Sequence, residues 1–191
     1  MFKRTVYNYL NQLLNQKVRT IGRACNMLWL GIGKELIVLN QNGEEVKQST
    51  FAIHVQSAWR IVNGERNEIV VASSDIYVPN SKIVKQDFHS NWHATGIRIL
   101  DSKHNEKEFD WDVQGNSLFD EKARQWLDTS NPIKVKEYKI TRCGDLLLTF
   151  SNNDRLEIYV DCSDETECWR VFQCGSDNEH LVVTGTGISF Q

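Results

Sequence analysis

Two Trp-Arg pairs, Trp59-Arg60 and Trp169-Arg170, set a planar cation beside the largest apolar side chain at two places in the chain. Neighbouring residues on a β-strand point to opposite faces, so a Trp turned into a core turns its Arg outward. Two such Arg residues could flank an anionic ligand, because the guanidinium fork matches carboxylate and phosphate geometry. The plainer reading pairs each Arg with a carboxylate on its own sheet surface, and Glu68, Asp75, Glu157 and Glu167 are available for that. His54 lies between Ile53 and Val55 and therefore projects to the face opposite theirs, with Ala52 and Gln56. Oriented by Asp75 or another carboxylate, its imidazole would titrate near neutrality and could act as a general base. No nucleophile motif accompanies it, and the alternative is a structural, hydrogen-bonded His. The binding candidates are therefore His54, Arg60, Asp75 and Arg170, with no residue assigned as catalytic.

His89 and His93 have the i, i+4 spacing that sets two imidazoles on one helical face, with Asp87 beside them. The intervening Glu of a metalloprotease helix is missing and Gly96 argues against a long helix, so no metal is assigned. Cys162, Cys168 and Cys174 recur at intervals of six, outside the C-x2–4-C spacing of structural zinc, and read as small buried apolar residues with Cys143 near them across a sheet. Asp161, Asp164, Glu165 and Glu167 lack the Asp/Asn-Gly rhythm of a calcium loop and read as a solvated turn. On a strand, Phe109-Asp110-Trp111-Asp112 would put both rings on one face and both acids on the other, either to hold a cation or basic partner or to keep an edge strand soluble. The chain contains no P-loop, no G-x-G-x-x-G after a strand, no G-x-S-x-G elbow and no H-E-x-x-H. No cofactor is assigned, and the motifs weigh against an enzyme.

Positioning these groups falls to strands. Val6, Tyr7, Leu10, Leu13 and Leu14 keep helical spacing over residues 4–16, and extended apolar runs begin at Arg19. Strands are predicted at 27–30, 36–39, 51–55, 59–62 and 69–71, with Gly31, Gly33, Asn42-Gly43 and Asn63-Gly64 as turns. A second series is predicted at 135–140, 146–150, 156–160, 169–172 and 181–183. The Trp-Arg order recurs with it, which argues for one β unit used twice, each copy burying its apolar face against the other. In the register this suggests, Leu28-x-Leu30 answers Leu146-x-Leu148, Ile21-x-Arg23 answers Ile140-x-Arg142, and Phe51-x-Ile53-x-Val55 answers Leu156-x-Ile158-x-Val160. His54 is then matched by Tyr159. Pro79 and Pro132 bracket a middle segment holding one clear helix signal, Ser117 as N-cap with Asp120 three residues on. The expected fold is mostly β (α+β): an N-terminal helix over 1–17, a first antiparallel β unit over 18–79, a connecting insertion with one helix over 80–131, and a second β unit over 132–191, in one compact body.

Composition bounds the function. With 40% hydrophobic and 25% charged residues, six Trp and eight Phe among 191 residues, the chain can bury a substantial core. A net charge of −3 argues against broad nucleic-acid binding. No secretion signal or membrane-length apolar run is visible, and five Cys fit reduced thiols, so a cytoplasmic location with no membrane partner is expected.

The segments Gly22-Arg23-Ala24-Cys25-Asn26-Met27, Phe51-Ala52-Ile53-His54-Val55-Gln56-Ser57-Ala58-Trp59-Arg60-Ile61 and Trp169-Arg170-Val171-Phe172, with residues 180–188, resemble a family of uncharacterised bacterial proteins of similar length. The resemblance also takes in Phe109-Asp110-Trp111-Asp112 and Ser74-Asp75-x-Tyr77-x-Pro79, and it implies a bacterial, cytoplasmic setting with no catalytic residue to carry over. The second β unit is loosely similar to small β domains of bacterial toxin-immunity proteins. The leading expectation is a non-enzymatic binding or interaction protein, of immunity type by that likeness, with a protein partner at the junction of the two β units. The alternative is a small-molecule-binding protein or small enzyme using His54 and Arg60 in a cleft there. Homodimerisation through open edge strands is a further expectation.

Overall fold

Period-two alternation decides which face of each strand turns inward, and here it buries Leu28, Leu30 and Ile32, then Phe51, Ile53 and Val55, then Leu146, Leu148 and Phe150. The computed structural model describes residues 2–40, 42–82, 98–100 and 106–191. Helix α1 (Phe2–Asn11) precedes β1 (Val18–Ala24), β2 (Met27–Leu39), β3 (Glu45–Val55), β4 (Trp59–Val62) and β5 (Ile69–Ala72). A 3-10 turn, Ser73–Tyr77, a short hairpin of β6 (Arg98–Leu100) and β7 (Glu106–Glu108), and helix α2 (Leu118–Leu127) follow. The chain ends with β8 (Val135–Ile140), β9 (Leu146–Phe150), β10 (Arg155–Ile158), β11 (Glu167–Gln173), β12 (Leu181–Thr184) and β13 (Gly187–Phe190). The protein is mostly β, with two large antiparallel sheets and a helix at the N-terminus and another later in the chain.

One sheet runs β1-β2-β3-β11-β12-β13 and the other β5-β4-β10-β9-β8. Neither segment 18–79 nor segment 132–191 keeps its strands in one sheet: each gives three consecutive strands to one sheet and the rest to the other. The two seams follow one pattern. Val55 faces Trp169 and Ile53 faces Val171 across β3 and β11, while Ile158 faces Trp59 and Leu156 faces Ile61 across β10 and β4. The chain changes sheet through residues 56–58 and again through residues 159–166, and the two crossings are tied together. Gln56 N and Ser57 N donate to the Cys168 carbonyl, Tyr159 N donates to the Ala58 carbonyl, and Ala58 N donates to Asp161 Oδ2. The starts of β1 and β8 meet in a bridge between Lys17 and Lys134.

These pairings shift the register read from the sequence. Leu28 and Leu146 keep matched places, as do Leu30 and Leu148, but Ile53 matches Leu156 and Ile21 matches Tyr138. The place of His54 is therefore filled in the other sheet by Glu157, not Tyr159. The break expected at Gly31 and Gly33 is absent: β2 runs through both, with a bulge where the register shifts between Ile32 and Glu35. Gly33 supplies the positive φ, +104°, that the bulge requires. Strand β13 escapes the alternation pattern because only Ile188 and Phe190 mark it.

Inner side chains of both sheets form one core, with Trp59 and Trp169 almost fully buried. Helix α2 packs on β1 from one sheet and β5 from the other, as its capping box predicts a helix here: the Ser117 hydroxyl accepts from Asp120 N, and Asp120 Oδ2 accepts from Ser117 N. Phe119 packs edge-on against Trp59, and Trp126 against Phe150. Trp126 Nε1 donates to Asp154, a carboxylate 4% exposed that also accepts from Asn63, Gly64 and Asn152. Helix α1 touches the opposite edges of the sheets, where Tyr138 Oη of β8 donates to the Tyr7 carbonyl and to Asn11 Oδ1, and Tyr9 packs against Phe190 of β13. Phe109-Asp110-Trp111-Asp112 lies in a loop, not on a strand; Phe109 is buried and Trp111 packs on Tyr77.

Candidate groove on the six-stranded sheet

Two outward rows cross the six-stranded sheet. One runs Gly22, Trp29, His54, Arg170, each directly opposite the next on β1, β2, β3 and β11. The row beside it runs Thr20, Gly31, Ala52, Phe172. Large side chains stand in the first row and small ones occupy the middle of the second, so a trough forms over the half-buried Ala52, while Gly31 beside it lies buried under Thr20 and Ser49, whose hydroxyl oxygens a Cβ there would meet at 2.3 and 2.6 Å. Trp29 and His54 wall one side, Phe172 closes one end, and Gln48, Ser49 and Lys47 from the far part of β3 stand opposite, around a cavity of about 490 Å³. A Cβ added at Gly22 would lie 2.4 Å from the Trp29 ring, so the glycine lets the indole lie close to β1. On the other side of Trp29 a second hollow, about 520 Å³, runs between β1 and α2; Arg19, Thr20 and Trp29 line both.

His54 and His180 both pack on Phe172, the first edge-on at 4.8 Å between centroids and the second stacked at 4.6 Å. Arg170 Nη1 lies 3.4 Å from His180 Nδ1, and its guanidinium pairs with the Glu167 carboxylate, Nε to Oε1 at 2.7 Å. Burial, and then the positive charge of Arg170, push His54 below its ordinary value of 6.5 despite the opposing pull of Glu167. The same two causes lower His180. Burial would raise Glu167, but the hydrogen bond and charge of Arg170 hold it below the usual carboxylate range. The imidazoles are thus held neutral near pH 7, and the guanidinium already has an anion.

Arg60 stands on the other sheet. Its Nε donates to Glu157 Oε2 at 2.6 Å, its guanidinium lies over the Tyr159 ring, and Tyr159 Oη donates to the same carboxylate oxygen. Asp75 sits in the 3-10 turn, where it accepts from Ala72 N and from Lys122 Nζ. Of the four sequence candidates, the fold brings only His54 and Arg170 together. Because the chain changes sheet between His54 and Arg60, one outward Arg ends on each sheet and the expected paired anion clamp is not formed; each is neutralised by a carboxylate the sequence offered, Glu157 or Glu167. The carboxylate beside His54 is Glu167 rather than Asp75.

Sequence reasoning missed Trp29, Phe172 and His180. The signal for Trp29 was available, an outward aromatic two residues before a glycine, but its neighbours Gly22 and Ala52 come from other strands. His89, His93 and Asp87 lie outside the described residues. Among the described residues no group of three or more His, Cys, Asp or Glu is arranged to hold a metal, and no helix is long and apolar enough to cross a membrane. Cys162 is half-buried, not fully buried, and touches Cys168. Comparison with protein-family models, with curated proteins and with solved structures finds no match.

Proposed function

We propose that this protein is a binding protein and that the trough beside Trp29 and His54 receives a segment of a protein partner. The observation that carries the reading is the small outward Ala52 in the middle of a six-stranded sheet, with the Trp29 and His54 rings on one side, Phe172 at one end and the polar Gln48, Ser49 and Lys47 opposite. The half-buried Ala52 and the half-buried rings of Trp29, His54 and Phe172 around it leave surface that a partner's side chain can cover. The chemistry on offer is aromatic faces, a neutral imidazole, and rim charges of both signs from Arg19, Lys47 and Glu35. That suits an extended segment with an aromatic or aliphatic anchor better than a free anion. The sequence likeness to immunity domains suggests that the partner is a toxin domain in a bacterial cytoplasm.

The test is capture from a bacterial lysate with the tagged protein, its Ala52→Arg variant and its Arg60→Ala variant. Ala52→Arg fills the trough from its floor while Arg60 lies on the other sheet, so the partner should be retained by wild type and Arg60→Ala and lost from Ala52→Arg at unchanged melting temperature. Equal recovery by all three would remove the trough from the reading. A second reading rests on volume: about 490 Å³ lies in the range of small-molecule sites. In that case no protein is recovered, and an aromatic metabolite raises the melting temperature of wild type but not of Ala52→Arg.

A further inference from the structure

Cys162 lies within the second sheet crossing and Cys168 just beyond it at the start of β11, and their sulfurs are 3.2 Å apart. Both thiols point at the Thr166 carbonyl, at 3.4 and 3.9 Å. The segment between them is held at both ends and at its tip. Asp161 accepts from Ala58 N, the Cys168 carbonyl accepts from Gln56 N and Ser57 N, and Thr166 N donates to Asp164 Oδ1. Gly185 packs so closely on the segment that a Cβ there would lie 2.3 Å from the Cys162 carbonyl oxygen. A disulfide needs sulfurs about 2.05 Å apart, so closing this pair takes a movement of about 1 Å without unfolding either crossing. The two sulfurs are unequal: Cys168 is 2% exposed, whereas Cys162 is half-buried and can meet a reagent.

We propose that Cys162 and Cys168 are an oxidative modification site, converted by a low-molecular-weight disulfide into an intrachain disulfide that staples the crossing between β10 and β11. The Cys162 thiolate attacks one sulfur of the reagent disulfide, forming a mixed disulfide and expelling one reagent thiolate, which takes a proton from water. Cys168 then loses its proton and attacks the Cys162 sulfur, breaking the bond to the second reagent sulfur, which leaves as a thiol. Two protein thiols are oxidised by two electrons in all, and one reagent disulfide is reduced to two thiols. Burial and the neighbouring Cys162 push the Cys168 thiol up to about 11, which assigns the first attack to Cys162. Glu167, the partner of Arg170, precedes Cys168 in the chain, so the staple also fixes one wall of the Arg170 ion pair.

The experiment treats the reduced protein with glutathione disulfide, quenches with acid, alkylates under denaturing conditions and digests with trypsin. Cleavage after Arg155 and Arg170 releases both cysteines in one peptide. In wild type that peptide should be unalkylated and lighter by two hydrogens than the reduced peptide. Cys168→Ser should trap glutathione on Cys162, and Cys162→Ser should leave Cys168 free for alkylation. Exposed Cys25 and Cys143 report that the reagent is active. A wild-type peptide alkylated twice while Cys25 and Cys143 carry glutathione, or one that accumulates a lasting glutathione adduct, would overturn the proposal.

Discussion

Trp59 and Trp169 fill matched places beside the two seams, yet only one has a polar partner. Trp169 Nε1 donates to the Gly144 carbonyl at 2.9 Å, whereas Trp59 Nε1 has no hydrogen-bond partner among the described residues. Truncation of either to Ala should cost about 3–5 kcal/mol, the range for buried Trp. Replacement by Phe should separate them: Trp169→Phe strands the Gly144 carbonyl, while Trp59→Phe removes an unpaired donor, so the first should be the more destabilising by about 1–2 kcal/mol. Denaturant midpoints at constant slope measure this. His54 gives a pH signature. Its pKa is lowered on folding, so the unfolded chain binds more protons than the folded one once the pH falls below the ordinary 6.5. Stability due to neutral His54 is therefore full above about pH 7 and is lost as the pH falls through 6.5 toward the folded value. His54→Gln should reduce the fall in melting temperature between pH 7 and 5.5 without abolishing it, because His180 is lowered too, and an unchanged slope would mean that His54 does not contribute. Glu157, Glu167 and Asp120 shift downward instead, so their contribution is full above the ordinary carboxylate value and is lost as the pH falls from there toward the lowered folded one. Arg60→Ala breaks a pair whose cation is 43% exposed, and should cost less than about 1 kcal/mol.

At the level of elements, helix α2 is held to β1 by a buried ion pair. Arg23, 3% exposed, donates from Nε and Nη2 to the two Asp120 carboxylate oxygens at 3.0 Å, and from its guanidinium to the Cys25 and Val113 carbonyls. Burial would raise Asp120, but hydrogen bonds from Arg23 and Ser117 lower it. Arg23→Ala leaves that carboxylate without its cation, and a loss of about 3–5 kcal/mol is expected, against about 1 kcal/mol for removing the Ser117 cap. Thermal unfolding of the two variants side by side checks the ratio. The helix itself was legible, because Ser117 and Asp120 mark its start by local chemistry. Arg23 was not, because its partner lies 97 residues away. Strands β8 and β9 were also legible at residue precision, because each is a short run carrying its own apolar and β-branched residues. The bulge at Gly33 was read as a turn, since a glycine at positive φ serves both and only the partner strand tells them apart.

For the whole molecule, alternation tells which face of a strand is buried but carries no information on which strand lies beside it. Trp59 and Trp169 identify two similar strands; nothing local in Gln56-Ser57-Ala58 says that the chain leaves one sheet for the other there. That one step separates His54 from Arg60 and turns an expected shared cleft into two unlike surfaces. It also binds the two halves into one cooperative unit, since β3 and β4 each pair with a strand more than 90 residues on in sequence. Calorimetry should accordingly show a single transition with equal calorimetric and van't Hoff enthalpies, where separate β units would give two. Folding should be slow, in the millisecond-to-second range of β proteins, because both seams close long loops before their contacts form. Val171→Asp puts a carboxylate into the β3 and β11 seam at a fully buried position opposite Ile53. If the seams are the joint on which the fold depends, this change should abolish the strand signal of the whole chain in circular dichroism; retention of about half of it would show that the five-stranded sheet stands without its partner.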